Sequence, residues 1–163
     1  MVQTVFTFIF PLGSTAVAHV YVSTVIHAPV NQVWDLIGDY NSLPTWHPFV
    51  ASCHIEDELP SGLIGCVRAI EVKDDGGIIR EQLLMLSDQE HLCRYSILTG
   101  PMAVRNYLAT MWLLPITTSN DTFAQWEADF DADPTDQSEM VDLVTSIFSE
   151  GFASVEEKLG KVP

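Results

Sequence analysis

The stretch Ser138–Leu159, SEMVDLVTSIFSEGFASVEEKL, carries the longest helical pattern in the chain, and its reading decides how the rest must be arranged. Val141, Val144, Phe148, Phe152, Val155 and Leu159 keep to one helical stripe, flanked by Met140, Leu143 and Ile147. Ser138 reads as the N-cap, with Glu139 in the first turn where the helix dipole favours an acid. Gly151 falls between Phe148 and Phe152, where glycine costs about 1 kcal/mol relative to alanine. That cost points to close packing against something bulky, or a bend over it. A helix striped with phenylalanine needs a large apolar surface to lie against, and the chain upstream supplies one.

Six segments before the helix are strand-like: Val50–Leu59, Gly65–Lys73, Ile78–Leu86, His91–Leu98, Val104–Pro115 and Thr122–Asp131. The gaps hold turn chemistry, such as Pro60-Ser61-Gly62, Asp74-Asp75-Gly76-Gly77 and Ser119-Asn120-Asp121. Connections this short make an antiparallel meander and leave no room for crossover helices. Further upstream, Ala18–Ile26 alternates as a first strand. Ala28-Pro29 then opens a helix whose Val30, Val33, Trp34 and Ile37 share one face, and Gly38 ends it. Asn41–Phe49, with two prolines, holds only a short helix or turn.

The chain has 163 residues, which fits one domain. Seven Lys and Arg against 22 Asp and Glu give a net charge of -15, so a phosphate backbone or an anionic lipid surface is a poor partner. No run reaches the length of a membrane span, and no stable membrane insertion is expected. The cysteines, Cys53, Cys66 and Cys93, are odd in number and widely spaced; they read as small buried hydrophobes. The first 34 residues lack Asp, Glu, Lys and Arg entirely. Within them Val2–Phe10 (VQTVFTFIF) is β-branched and aromatic, without the positive region of a signal peptide, so the reading places the protein in the cytoplasm. Residues 1–17 are therefore expected to form an apolar extension carrying an extra strand, which pairs with the main sheet or makes a homodimer; residues 18–163 form the domain.

The order of strand, two short helices, six strands and long helix resembles the START-like or Bet v 1-like (SRPBCC) superfamily, and within it the polyketide cyclase/dehydrase-type group. The likeness is carried by Val22–Trp34 (VSTVIHAPVNQVW), Asn41–Pro48 (NSLPTWHP), Gly100–Ala109 (GPMAVRNYLA) and Thr122–Phe130 (TFAQWEADF). It implies an α+β helix-grip fold: a curved antiparallel sheet of about seven strands around the C-terminal helix, with an internal hydrophobic cavity. The superfamily mixes carriers, receptors and enzymes, so the fold alone selects no activity.

Strand period says which side chains would face that cavity. In Phe123–Phe130, Gln125, Glu127 and Asp129 belong in water, which turns Trp126, Ala128 and Phe130 inward. The next strand splits into Arg105, Tyr107, Ala109, Met111 against Asn106, Leu108, Thr110, Trp112, and the resemblance places Tyr107, Ala109 and Met111 inside. Small Ala109 and Ala128 among aromatic rings suit a pocket. With Trp46, Arg68, Tyr95, Arg105, Phe148 and Phe152, these complete the expected ligand contacts. Arg80 and Glu81 must point to opposite faces, and the resemblance turns Glu81 inward, either paired with an arginine such as Arg68 or holding a raised pKa for acid–base work. His47, in the element that closes the cavity mouth in this family, would exchange a proton with a polyketide-like carbonyl.

No histidine pair has metal-ligand spacing, so no metal is expected. The Asp129, Asp131, Asp133 run lacks the glycine and distal glutamate of a calcium loop and reads as a solvated face. Three readings follow. One is a cofactor-free cyclase, dehydrase or related lyase in which His47, Glu81 and Tyr107 move protons; the second is a non-catalytic carrier or sensor of a lipid or other apolar ligand. The third is an interaction module that dimerises through its N-terminal strand.

Overall fold

The computed structural model describes residues 17–74 and 76–160. Val2–Phe10 lies outside the described residues, and with it the expected extra strand and dimer contact.

A strand β1 (Val17–Ile26) leads into helix α1 (Val30–Ile37) and a one-turn helix α2 (Leu43–Trp46). Six strands follow: β2 (Val50–Ile55), β3 (Val67–Val72), β4 (Ile78–Ser87), β5 (Leu92–Thr99), β6 (Val104–Ile116) and β7 (Asp121–Ala132). The chain then enters helix α3 (Gln137–Leu159). The strands form one antiparallel sheet in the order β1-β7-β6-β5-β4-β3-β2, so β1 reaches across to pair with β7, Val17 opposite Asp131 and Ile26 opposite Thr122. The antiparallel meander and long helix are those of the sequence pattern, and the curved sheet gripping the helix is that implied by the family resemblance.

Three local details depart from the sequence reading. The second strand stops at Ile55, because Asp57 and Glu58 take φ near +56° and +53° and turn the chain out of the ladder. The turn sends Glu56 back to clamp Arg80, Nε to Oε1 at 2.6 Å and Nη2 to Oε2 at 2.7 Å. Helix α3 begins a residue before the expected cap: the Asp133 carbonyl accepts from both the Asp136 and Gln137 amides, so the backbone turn starts the helix and Ser138 lies inside it. In β6 a bulge between Arg105 and Leu108, with Asn106 at φ +51°, breaks the strict alternation.

The core lies between the concave face of the sheet and α3. Helix α3 turns Met140, Val144, Phe148, Gly151, Phe152 and Val155 inward and packs chiefly over β1 and β7. There small or slim residues, Ala18, Val20, Ala124, Ala128 and Ala132, face inward between the larger Trp126 and Phe130. The helix therefore comes down close at one side of the sheet and stands off the other, over β3, β4 and β5. Helix α1 buries Val33, Trp34 and Ile37, as its periodicity required. Cys66 and Cys93 are buried and Cys53 partly so; burial raises all three thiols, Cys53 and Cys93 to about 11, which keeps them protonated. No described helix is long and apolar enough to cross a membrane.

The turn between β1 and α1 is tied to the sheet by a wholly buried bond, Thr122 Oγ1 donating to the Ala28 carbonyl at 2.7 Å. Replacing Thr122 by valine keeps the shape and strands that carbonyl. Urea denaturation of the T122V variant should show a loss of about 1–3 kcal/mol with an unchanged m-value.

Candidate functional site

Where the helix stands off the sheet, the fold encloses a cavity of about 440 Å³. Its walls come from β3, β4 and β5, its near side from α3 through Leu143, Ile147 and Phe148, and its rim from Pro48, Phe49, the β3–β4 turn and the Pro101-Met102 connection. Most of this lining is apolar.

Seven of the thirteen residues expected from sequence line the cavity: His47, Arg68, Glu81, Tyr95, Tyr107, Trp126 and Phe148. Trp46 and Phe152 are buried directly behind, both packed on Trp126 with ring centroids 6.1 and 5.7 Å away. Ala109, Met111 and Phe130 also point inward, but into packed core. The room expected beside the alanines is not cavity: Ala109 and Ala128 face each other across β6 and β7, with Tyr95 opposite the first and Trp126 and Phe130 flanking the second. Arg105 requires correction. The β6 bulge turns it outward, where it is half exposed and bonds Asp133 at 3.0 Å, so it contacts no ligand in the cavity.

Several lining residues were missed in the sequence reading although their signal was present. Ile97 shares a strand face with Tyr95, Ile79 with Glu81, and Ile70 and Val72 with Arg68. Extending period two along those strands finds them. Leu143 and Ile147 were seen only as flanks of the α3 stripe. The rim residues Lys73, Pro101 and Met102 carry no pattern of their own.

The polar centre is an ion pair. Glu81 and Arg68 stand opposite each other on β4 and β3 and are almost fully buried. Glu81 Oε2 accepts from Arg68 Nε at 2.8 Å and Nη2 at 2.6 Å, while Nη1 donates to the Tyr40 carbonyl at 2.7 Å. The guanidinium lies 3.9 Å from the Tyr40 ring centroid and 5.2 Å from that of Tyr95. Burial raises the Glu81 carboxyl above the usual carboxylate range, with Arg68 pulling it back. Burial also works against the charge on Arg68, but Glu81 outweighs it and the guanidinium is held even more firmly charged than usual. Of the two states weighed for Glu81, the structure has the arginine-paired one.

His47 is buried, and both ring nitrogens are engaged. Nε2 lies 3.2 Å from the Ile147 carbonyl, and Nδ1 accepts weakly from the Phe49 amide at 3.4 Å. That pattern assigns a neutral ring with its proton on Nε2. Trp46, Phe49 and Trp126 surround the imidazole, and burial, opposed by the bond to Ile147, lowers its pKa to about 4. Gly151 explains this closeness: a Cβ there would lie 3.1 Å from the His47 ring and 3.2 Å from that of Trp126. The bulky neighbour expected from a mid-helix glycine is this ring pair.

The Trp126 indole stacks on Phe148 with centroids 4.3 Å apart and donates to the Tyr95 hydroxyl at 3.1 Å. The Tyr95 ring lies 6.4 Å from that of Tyr107, which stacks on Phe130 at 5.8 Å. Burial raises both phenols, so both stay protonated. Elsewhere, the Asp129, Asp131, Asp133 run is spent on single partners: His19, Asn106 and Arg105.

A curved sheet, a gripping helix and an apolar cavity with a few buried polar groups define a helix-grip, ligand-cavity protein. The chain belongs to the family described as polyketide cyclase / dehydrase and lipid transport, whose model matches residues 17–160. It is 30% identical to the abscisic acid receptor PYL7 of Arabidopsis thaliana over 92 residues, which is 55% of this chain and 42% of the receptor. The chain thus spans less than half the length of that relative. Among solved structures it resembles the XoxI protein of Bacillus cereus, with a TM-score of 0.79 and 31% identity over 88% of this chain and 96% of that one. Norcoclaurine synthase from Thalictrum shares the fold, with a TM-score of 0.68 at 13% identity over 90% of this chain and 96% of that one.

The depressed pKa of His47 carries a stability signature. The unfolded chain takes up this proton near pH 6.5, the folded one only near pH 4, so the stabilisation is complete above 6.5 and lost as pH falls towards 4. Chemical denaturation of wild type should show about 3 kcal/mol lost over that window beyond the loss seen in His47→Gln. Parallel pH curves for the two proteins would refute the assignment.

Proposed function

We propose that this protein binds a hydrophobic or aromatic small molecule in the cavity and acts as its carrier or sensor. The observation that carries this reading is the state of the polar groups on an otherwise apolar wall. His47 has both nitrogens engaged and a pKa far below neutrality, and Glu81 is clamped by Arg68. Two of the three groups expected to move protons are thus committed to holding the structure. The apolar wall supplies burial for a ligand, and the few polar groups orient it.

A second reading is favoured by Tyr107. This phenol lines the cavity close enough to Glu81 to feel its charge, so a proton donor and an acceptor face the same space. With them, a cofactor-free cyclisation or dehydration of a polyketide-like substrate is the enzymatic alternative.

Native mass spectrometry of the purified protein separates the two. A carrier should retain an apolar molecule that incubation returns unchanged, and Ile97→Trp, which fills the cavity from β5, should abolish the adduct. An adduct unaffected by Ile97→Trp counts against cavity binding. Conversion of the released molecule by wild type but not by Tyr107→Phe favours the enzyme.

A further inference from the structure

The chemistry of the cavity's polar groups restricts what it can hold. Arg68 and Glu81 cancel each other's charge at 2.6 Å. His47 is neutral by its hydrogen bonds, and Tyr95 and Tyr107 are uncharged phenols. The cation on the rim, Lys73, is exposed, donates to the Pro48 carbonyl at 2.7 Å, and has Asp74 beside it in the lining. An anion drawn past the exposed Lys73 at the rim would lose its water and meet only the compensated Arg68 inside, on a chain whose net charge of -15 already repels it.

A hydroxyl meets a different environment. The two bonds that Arg68 makes to Glu81 both go to Oε2, which leaves Oε1 to accept from a ligand. Tyr107 lines the same cavity, and a hydrogen bond to a charged acceptor is the stronger kind.

We infer that the cavity selects an uncharged, largely apolar ligand that carries a hydroxyl at its inner end, donating to Glu81 and accepting from Tyr107. This narrows the binding reading given above and rests on it. Charge compensation by Glu81 is what excludes acids: without it, Arg68 would be an anion site.

The test uses three fluorescent probes of one shape, 9-anthracenemethanol, 9-methylanthracene and 9-anthracenecarboxylate, titrated into the whole protein at pH 7.5. On wild type the alcohol should bind roughly tenfold more tightly than the hydrocarbon, and the carboxylate most weakly. Glu81→Gln leaves the guanidinium uncompensated, and there the carboxylate should overtake the alcohol. The paired substitution Arg68→Met with Glu81→Leu removes both charges at once, so it guards against a single variant that fails to fold. It should still bind the hydrocarbon and lose the preference for the alcohol. A carboxylate that binds wild type as tightly as the alcohol overturns the inference but not cavity binding, and so does an alcohol preference that survives the paired substitution. If even the hydrocarbon fails to bind wild type, the ligand reading falls with it.

Discussion

Trp126 and Phe148 stack at 4.3 Å, and this contact between the last strand and the last helix sets the distance at which α3 rides over the sheet. Everything else about the cavity depends on that separation. On the β1 and β7 side the helix descends onto small residues and packs solidly. Trp126, on β7, props the helix up where the sheet runs on towards β3 to β5, and the unfilled space there is the cavity. Gly151 permits the arrangement, because a side chain there would collide with the same indole and with His47. A helix interior thus gives up about 1 kcal/mol of propensity to admit an aromatic pair.

The polar groups obey a second constraint. Most that reach the interior are satisfied by a neighbour, Arg68 by Glu81 and the Tyr40 carbonyl, His47 by Ile147, Tyr95 by Trp126, while the Tyr40 hydroxyl and Asn41 Oδ1 are buried without a partner among the described residues. Such groups are costly to bury alone, so the fold has spent their bonding capacity on structure. Under the proposed ligand reading, the polar contacts fall to the phenol of Tyr107 and the open oxygen of Glu81 instead of His47. It also explains how members of one family can differ in activity while sharing a fold: small changes in which cavity group remains free change what the cavity can recognise.

Much of the architecture was legible from residue pattern. The period of two in β7 turned Trp126 and Phe130 inward, the 3.6-residue stripe marked Phe148 and Phe152, and the turn residues between strands excluded crossovers. Those signals are local, since each residue's face follows from its neighbours in sequence. Arg105 failed the same logic because a bulge at Asn106 changes the count, and bulges leave no reliable trace in alternation.

What the sequence by itself determined is the secondary structure, the inward faces, and the division between an acidic coat and an apolar interior. Only the tertiary structure decided that Arg68 and Glu81, thirteen residues apart, neutralise each other, and that burial keeps His47 neutral even though its ring bonds a carbonyl one hundred residues away. It also decided that the alanines of β6 and β7 belong to packed core while the cavity lies over β3 to β5. The physical reason is the same in each case: charge state and empty volume depend on what approaches across space, and periodicity along a strand or helix does not encode that distance.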